Sequence, residues 1–179
     1  MIHVSGILTT PPASYKTDLQ KKVYETLSRL CIPYQRVDTD EVITMEDCAE
    51  IDKKLDMHMV KTLFLCDRQQ EHFYLFITCG DKPFRSKDFA AALGVSRLSF
   101  APAERMDAML GTKIGAATVF SVLLPSARDV RVVFDAQVAA QPWYGCSDGT
   151  TTGYLKLSTQ DVCRTLLHDA GRILEAVEL

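Results

Sequence analysis

The sequence predicts an α/β (α+β) fold: a single domain with a mixed, mostly antiparallel β-sheet and surrounding helices. Three observations carry this. Apolar residues recur at helical spacing near the N-terminus, two apolar runs flank a short polar stretch near residue 69, and strand-like and helix-like segments alternate from there to the end. The chain has 179 residues, 47% of them hydrophobic, which suffices for one core and is short for two. Residues 1–16, with Pro11 and Pro12, read as a lead, and 17–179 as the domain.

The elements follow in order. YKTDLQKKVYETLSRL sets Leu19, Val23, Leu27 and Leu30 on one helical stripe, with Thr17 or Asp18 as the cap. IPYQRV (32–37) reads as a short strand, and Thr44 followed by MEDCAEIDKKL as a helix whose start pairs Thr44 with Asp47. VKTLFLC and HFYLFITC, joined by DRQQE, form a hairpin. Residues 86–93 and 102–110 read as helices, the second with proline at its first turn and Gly111 just past its end. TKIGAATVFSVLLPSARDVRVVFD reads as two β-rich runs around a polar turn. GYLKLS is a strand, TQDVCRTLLHDAG a helix and RILEAVEL a last strand. QPWYGCSDGTTTG, between them, has the composition of a loop.

Composition excludes several functions. A net charge of −3, from 20 Lys and Arg against 23 Asp and Glu, gives no general attraction for nucleic acid, so a polyanion must meet a local patch. Lys16, Lys21, Lys22 and Arg29 on the first helix, with Lys82, Arg85 and Lys87, are candidates, as are solvated helix faces. Six cysteines without a CxxC pair, apart from the four histidines, argue against a zinc site and for reduced core thiols. The N-terminus lacks a basic start and a long apolar stretch, so neither a signal peptide nor a membrane span is expected, and a cytoplasmic location is. There is no GxSxG elbow, no Cys–His nucleophile pattern and no P-loop.

Four segments in this order, VYETLSRLCIPYQRVDTDEVIT, VKTLFLCDRQQEHFYLFIT, LGVSRLSFAPAERMDAMLGTKIGAATVF and VRVVFD, resemble the prolyl-tRNA editing domain family of YbaK- and PrdX-type freestanding aminoacyl-tRNA deacylases. RLSFA and LFLCD are most similar to the PrdX branch, which implies removal of alanine mis-attached to the proline tRNA. The resemblance implies that Lys61 anchors the terminal nucleotide and that the loop from Gly111 to Gly115 presents backbone N–H groups to the ester carbonyl, which makes these three the expected catalytic set. It implies substrate contacts from Thr62, Thr118, Ser147, Asp148 and Thr151, no metal or other cofactor, and water activation by the substrate's own ribose hydroxyl. The implied partners are the acceptor end of an aminoacyl-tRNA and a prolyl-tRNA synthetase or its complex, with neither membrane nor DNA.

The chain departs from that pattern. Ile114 and Val119 stand where the family carries prolines, Ser121 where it carries a glycine, and a His-Pro pair and an asparagine expected near residues 147–151 are replaced. No histidine occurs from 73 to 167. The other reading is therefore a catalytically degenerate member acting as a tRNA-binding or protein-interaction module.

Overall fold

In the computed structural model, which describes residues 2–42, 44 and 46–179, the chain forms two sheets. Helix α1 (Asp18–Arg29) starts where expected: the Thr17 hydroxyl accepts from the Gln20 N–H, and Leu19, Val23 and Leu27 are buried. Strand β1 (Tyr34–Asp38) follows. The lead does not stand apart, since Val4 and Leu8 form bridges to Thr39 and Arg36 beside β1. The Asp47 N–H donates to the Thr44 hydroxyl as the capping box predicts, but the Asp47 carboxylate accepts from that hydroxyl, and helix α2 (Ala49–Leu55) begins only after both, with Cys48 as an N-cap that makes no side-chain cap bond. Met45, within that predicted start, lies outside the described residues.

Strands β2 (Val60–Asp67) and β3 (Phe73–Cys79) form the hairpin, Lys61 opposite Thr78 and Cys66 opposite Phe73. Helix α3 (Ser86–Leu93), strand β4 (Leu98–Phe100) and helix α4 (Ala103–Leu110) come next. Strand β5 (Val130–Asp135) then runs parallel to β3. The first of the two β-rich runs expected between Gly111 and Asp135 is not a strand. Thr118 caps a 3₁₀ helix over Val119–Leu123 whose residues Val119 to Val122 are buried, and an apolar run buried all round looks the same in sequence in either form. After a four-residue helix α5 (Ala136–Ala139) comes a second correction. Trp143–Ser147, read as loop, is strand β6, paired with strand β7 (Gly153–Ser158). The tail holds a π-helical turn (Asp161–Leu166), a short α6 (Leu167–Asp169) and β8, reduced to Ala176–Val177.

The sheets are ordered β1-β7-β6 and β4-β2-β3-β5-β8. Four of the six pairings are antiparallel, and the two involving β5 are parallel. Among the described residues one parallel bridge, Met59 to Gly145, joins them. That approach requires glycine: a Cβ at 145 would lie 2.6 Å from Met57 Sδ and 3.0 Å from the His58 carbonyl oxygen. Even-numbered residues of β2, Phe64 and Cys66, face the main core with Leu27, Phe120 and Leu155. Odd-numbered Leu63 and Leu65 face a smaller cluster around Phe89 under α3.

Candidate active site

The site arises because β2 is paired along only part of one edge. Against β3 it pairs from Val60 to Cys66, but β4 meets it only from Leu65 to Asp67, with one further bond from the Ala101 N–H to the Phe64 carbonyl. In an antiparallel strand, successive residues turn their N–H and C=O to opposite sides. Phe64 points its carbonyl away from β3, so Thr62, two residues earlier, does the same, and among the described residues no strand pairs with it on that side. At this bare edge a cavity of about 360 Å³ opens. Its lining includes Lys61, Thr62 and Phe64 on β2, Met106 on α4, Ile114, Gly115 and Ala117 on the glycine loop, and Ser147 and Tyr154 from the other sheet.

Lys61 and Thr62 leave the strand on opposite faces and meet the same cavity because it wraps the edge. The Lys61 ammonium donates to the Lys82 carbonyl oxygen at 2.6 Å, leaving two donors. Lys82 is itself fixed, its ammonium 2.8 Å from Oδ2 of the fully buried Asp135 on β5, which also accepts from the Thr78 hydroxyl at 2.8 Å. Burial pushes the Asp135 carboxyl up, but the bonds from Lys82, the Gln137 N–H and Thr78 outweigh it and hold the group below the usual carboxylate range. A carboxylate with a depressed folded-state pKa stabilises the fold above its unfolded pKa, near 4, and loses that contribution as the pH falls through the folded value. Asp135→Asn is expected to cost about 3 kcal/mol at pH 7, the low end for breaking a buried pair because Lys82 keeps 20% of its side chain exposed. Urea unfolding from pH 7 to pH 2 checks this: the gap between the two proteins closes on the acid side.

The glycine loop is a β-turn, the Ala116 N–H donating to the Lys113 carbonyl at 3.0 Å, with Gly115 third at φ +90°. A positive φ there is the signature of a type II turn, in which proline at the second position is common but not required. Ile114 takes that second position, so the missing proline does not remove the turn; its side chain, 63% exposed, stands at the cavity rim. The loop is clamped from behind. Thr112 Oγ1 donates to the Gly149 carbonyl (3.0 Å), Thr118 Oγ1 to the Ser147 carbonyl (3.0 Å) and Ser147 Oγ to the Ala116 carbonyl (3.1 Å).

The structure brings Lys61, Thr62, Gly115 and Ser147 to one cavity and leaves the other four expected residues outside its lining. Gly111 is the left-handed C-cap of α4, where a Cβ would lie 2.7 Å from Leu124 Cδ1. Thr118 is buried as the cap and clamp already described. Thr151 is buried, its hydroxyl 3.3 Å from Glu41 Oε1 and its carbonyl taken by the Val42 N–H. Asp148 is wholly buried. Its Oδ2 accepts from Gln20 Nε2 (2.9 Å) and the Tyr24 hydroxyl (2.8 Å), its Oδ1 from the Thr150 hydroxyl (2.7 Å) and N–H (3.2 Å). With every acceptor direction in use inside the protein, it has none to offer a ligand. Burial, then the Asp148 charge, pushes the Tyr24 phenol far above its ordinary range, so the phenol stays a neutral donor.

Met59, Met106 and Tyr154 in the lining had no sequence signal, because long-range packing alone turns them inward. Among the described lining residues there is no carboxylate and no imidazole; burial pushes the Cys48 thiol up to about 11, and Tyr154 above the ordinary phenol range. Among the described residues no three His, Cys, Asp or Glu side chains gather so that they could hold a metal ion. The arrangement offers one cation, polar groups of a bare strand edge and a glycine turn across an apolar cavity.

Comparison with known proteins agrees with this architecture. The chain is 28% identical over 162 residues to the prolyl-tRNA editing protein ProX of Acetoanaerobium sticklandii, covering 90% of this chain and 98% of that protein. It is 25% identical over 151 residues to the prolyl-tRNA synthetase associated domain-containing protein 1 of Danio rerio, covering 83% and 82%. The crystal structure of the hypothetical protein APE2540 shares the fold, with a TM-score of 0.67 at 19% identity over 87% of this chain and 98% of that one. So does a proposed trans-editing enzyme for prolyl-tRNA synthetase, at 0.65 and 14% over 92% and 99%. The sequence pattern of the aminoacyl-tRNA editing domain matches residues 39–165, most of both sheets and the whole cavity lining, and the chain belongs to that family.

Proposed function

We propose that the protein is an aminoacyl-tRNA deacylase acting in trans, and that its substrate is alanine esterified to the proline tRNA. The observation that carries this is the cavity at the bare β2 edge, with Lys61 on one side and the Gly115 turn on the other. Lys61 holds the polar end of the terminal nucleotide, and backbone N–H groups of the turn meet the ester carbonyl as negative charge develops on it. Water attacks that carbonyl carbon, the bond to the ribose oxygen breaks, and the ribose oxygen takes the proton, leaving free alanine and tRNA with its hydroxyl restored. Because no described lining residue is a carboxylate or imidazole, the attacking water in this reading is oriented by the neighbouring ribose hydroxyl of the substrate, which accepts its hydrogen bond and relays a proton to the departing ribose oxygen. A separate editor is needed because a synthetase pocket built for proline rejects a smaller amino acid by only about 1 to 3 kcal/mol per missing methylene. The name of the Danio rerio relative supports a prolyl-tRNA synthetase as partner, and a tRNA substrate supports a cytoplasmic location.

The test is deacylation of alanyl-tRNA for proline and of a panel of other aminoacyl-tRNAs, with Gly115→Ala alongside. Alanine at φ +90° costs about 1 to 2 kcal/mol of local strain and displaces the turn, so kcat is expected to fall about tenfold or more with tRNA affinity retained. Binding of tRNA without turnover of any substrate in the panel would establish the degenerate reading instead.

A further inference from the structure

The basic residues that the sequence offered for RNA are largely spent on the protein itself: Lys21 pairs with Glu25, Arg29 with Asp169, Lys82 with Asp135, Arg85 with Asp88, and Lys16 donates to the Thr152 hydroxyl. Two other arginines are not. A second cleft, of about 680 Å³, lies between the β2–β3 turn and the approach to β4, and its lining includes Arg68, Gln69, Gln70, Arg97 and Ser99. Arg68 and Arg97 are exposed, and among the described residues neither has a carboxylate within salt-bridge distance. The cleft's one carboxylate, Asp67, is occupied: Oδ2 lies 2.6 Å from His72 Nδ1 and Oδ1 accepts from the N–H groups of Glu71 (2.9 Å) and His72 (3.3 Å). The lining therefore sets two guanidinium charges against one carboxylate, whose oxygens are turned to the protein's own donors. Phe100 borders both this cleft and the candidate active cavity, and 61% of it is exposed, which is unusual for a phenylalanine.

We propose that this cleft is a second binding site, for the unpaired nucleotides that precede the 3′-terminal adenosine of the tRNA. A strand leaving the cavity crosses Phe100, whose ring offers a base a stacking platform, and its phosphates then run between Arg68 and Arg97. An aromatic platform beside unpaired cations is the chemistry of sequence-tolerant single-strand recognition. Gln69, Gln70 and Ser99 add hydrogen-bonding groups without adding negative charge. This rests on the reading of the adjoining cavity as the place of the acylated adenosine, and it explains how an acidic protein engages a polyanion.

The probes are a fluorescent seven-nucleotide RNA ending in ACCA and the non-hydrolysable amide 3′-alanylamino-adenosine, which ends before the cleft. The double variant Arg68→Ser/Arg97→Ser is expected to bind the RNA about tenfold or more weakly at 50 mM KCl, with the slope of log affinity against log salt reduced by about 1.4 for two phosphate contacts on a single strand. It is expected to bind the adenosine amide as the unaltered protein does. Arg97→Glu weakens RNA binding further, and Phe100→Ala weakens it about tenfold with an unchanged salt slope, which separates stacking from charge. Wild-type RNA affinity with an unchanged slope in the arginine variants overturns the proposal, as does RNA binding no tighter than that of the amide. Salt-dependent RNA binding by a protein that deacylates nothing upholds the cleft and removes the deacylase reading; deacylation unaffected by the arginine variants, with equal RNA affinity, does the reverse.

Discussion

Lys61→Ala is expected to lower kcat/KM for alanyl-tRNA by about a hundredfold, about 2.7 kcal/mol of transition-state binding, while costing the fold only about 1 kcal/mol for the lost bond to the Lys82 carbonyl. The ammonium is held at 2.6 Å by a carbonyl whose own residue is tied to Asp135, so it waits in place rather than being ordered by the substrate. Lys61→Met separates charge from packing, since it keeps an unbranched stem and loses the cation. A Met variant as slow as the Ala variant identifies the charge as the working part. Near-normal turnover in both would remove Lys61 from the mechanism, and steady-state kinetics beside urea unfolding reads both quantities.

Asp148→Ala is expected to act on stability first, by about 3 to 5 kcal/mol, with a fall in Tm of about 10 °C. Removing the carboxylate strands Gln20 Nε2, the Tyr24 hydroxyl and both Thr150 donors in a site without water access. It also loosens the Ser147–Gly149 segment that clamps the glycine loop. Asp148→Asn is expected to cost less, about 1 to 2 kcal/mol. Its oxygen can serve Thr150 and the Tyr24 hydroxyl can turn to accept, but its amide then faces the Gln20 amide. Gln20 cannot flip freely, because its Oε1 already accepts from the Lys16 N–H at 2.7 Å. A stable Asp148→Ala protein with a selective rise in KM would instead make this carboxylate a substrate contact.

The misreading of residues 141–153 has a cause other than the ambiguity of the Val119–Leu123 run. The stretch 141–153 reads as loop because Gly, Ser, Asp and Thr are turn residues, yet Trp143–Ser147 is a strand and the polar residues after it are buried. Asp148 among them is satisfied by Gln20 and Tyr24, more than 120 positions away, and no local pattern announces partners at that distance. Ile114 is the converse case. A proline is absent, but Gly115 alone supplies the positive φ the turn needs.

Features that depend on neighbours along the chain are legible in the sequence alone. The capped first helix, the β2–β3 hairpin with Lys61 at its mouth, the helix ending at Gly111 and the turn through Gly115 follow from periodicity, capping and φ preference, which act within a few residues. Which polar groups line a cavity and which brace the fold depends on contacts between segments far apart in the chain. Thr62 is open because β4 stops short of it, Asp148 is closed because α1 covers it, and Arg68 and Arg97 are free because, among the described residues, no carboxylate folds against them. Whether a polar group binds a ligand or braces the fold depends on what else reaches it, and those contacts come from segments far apart in the chain.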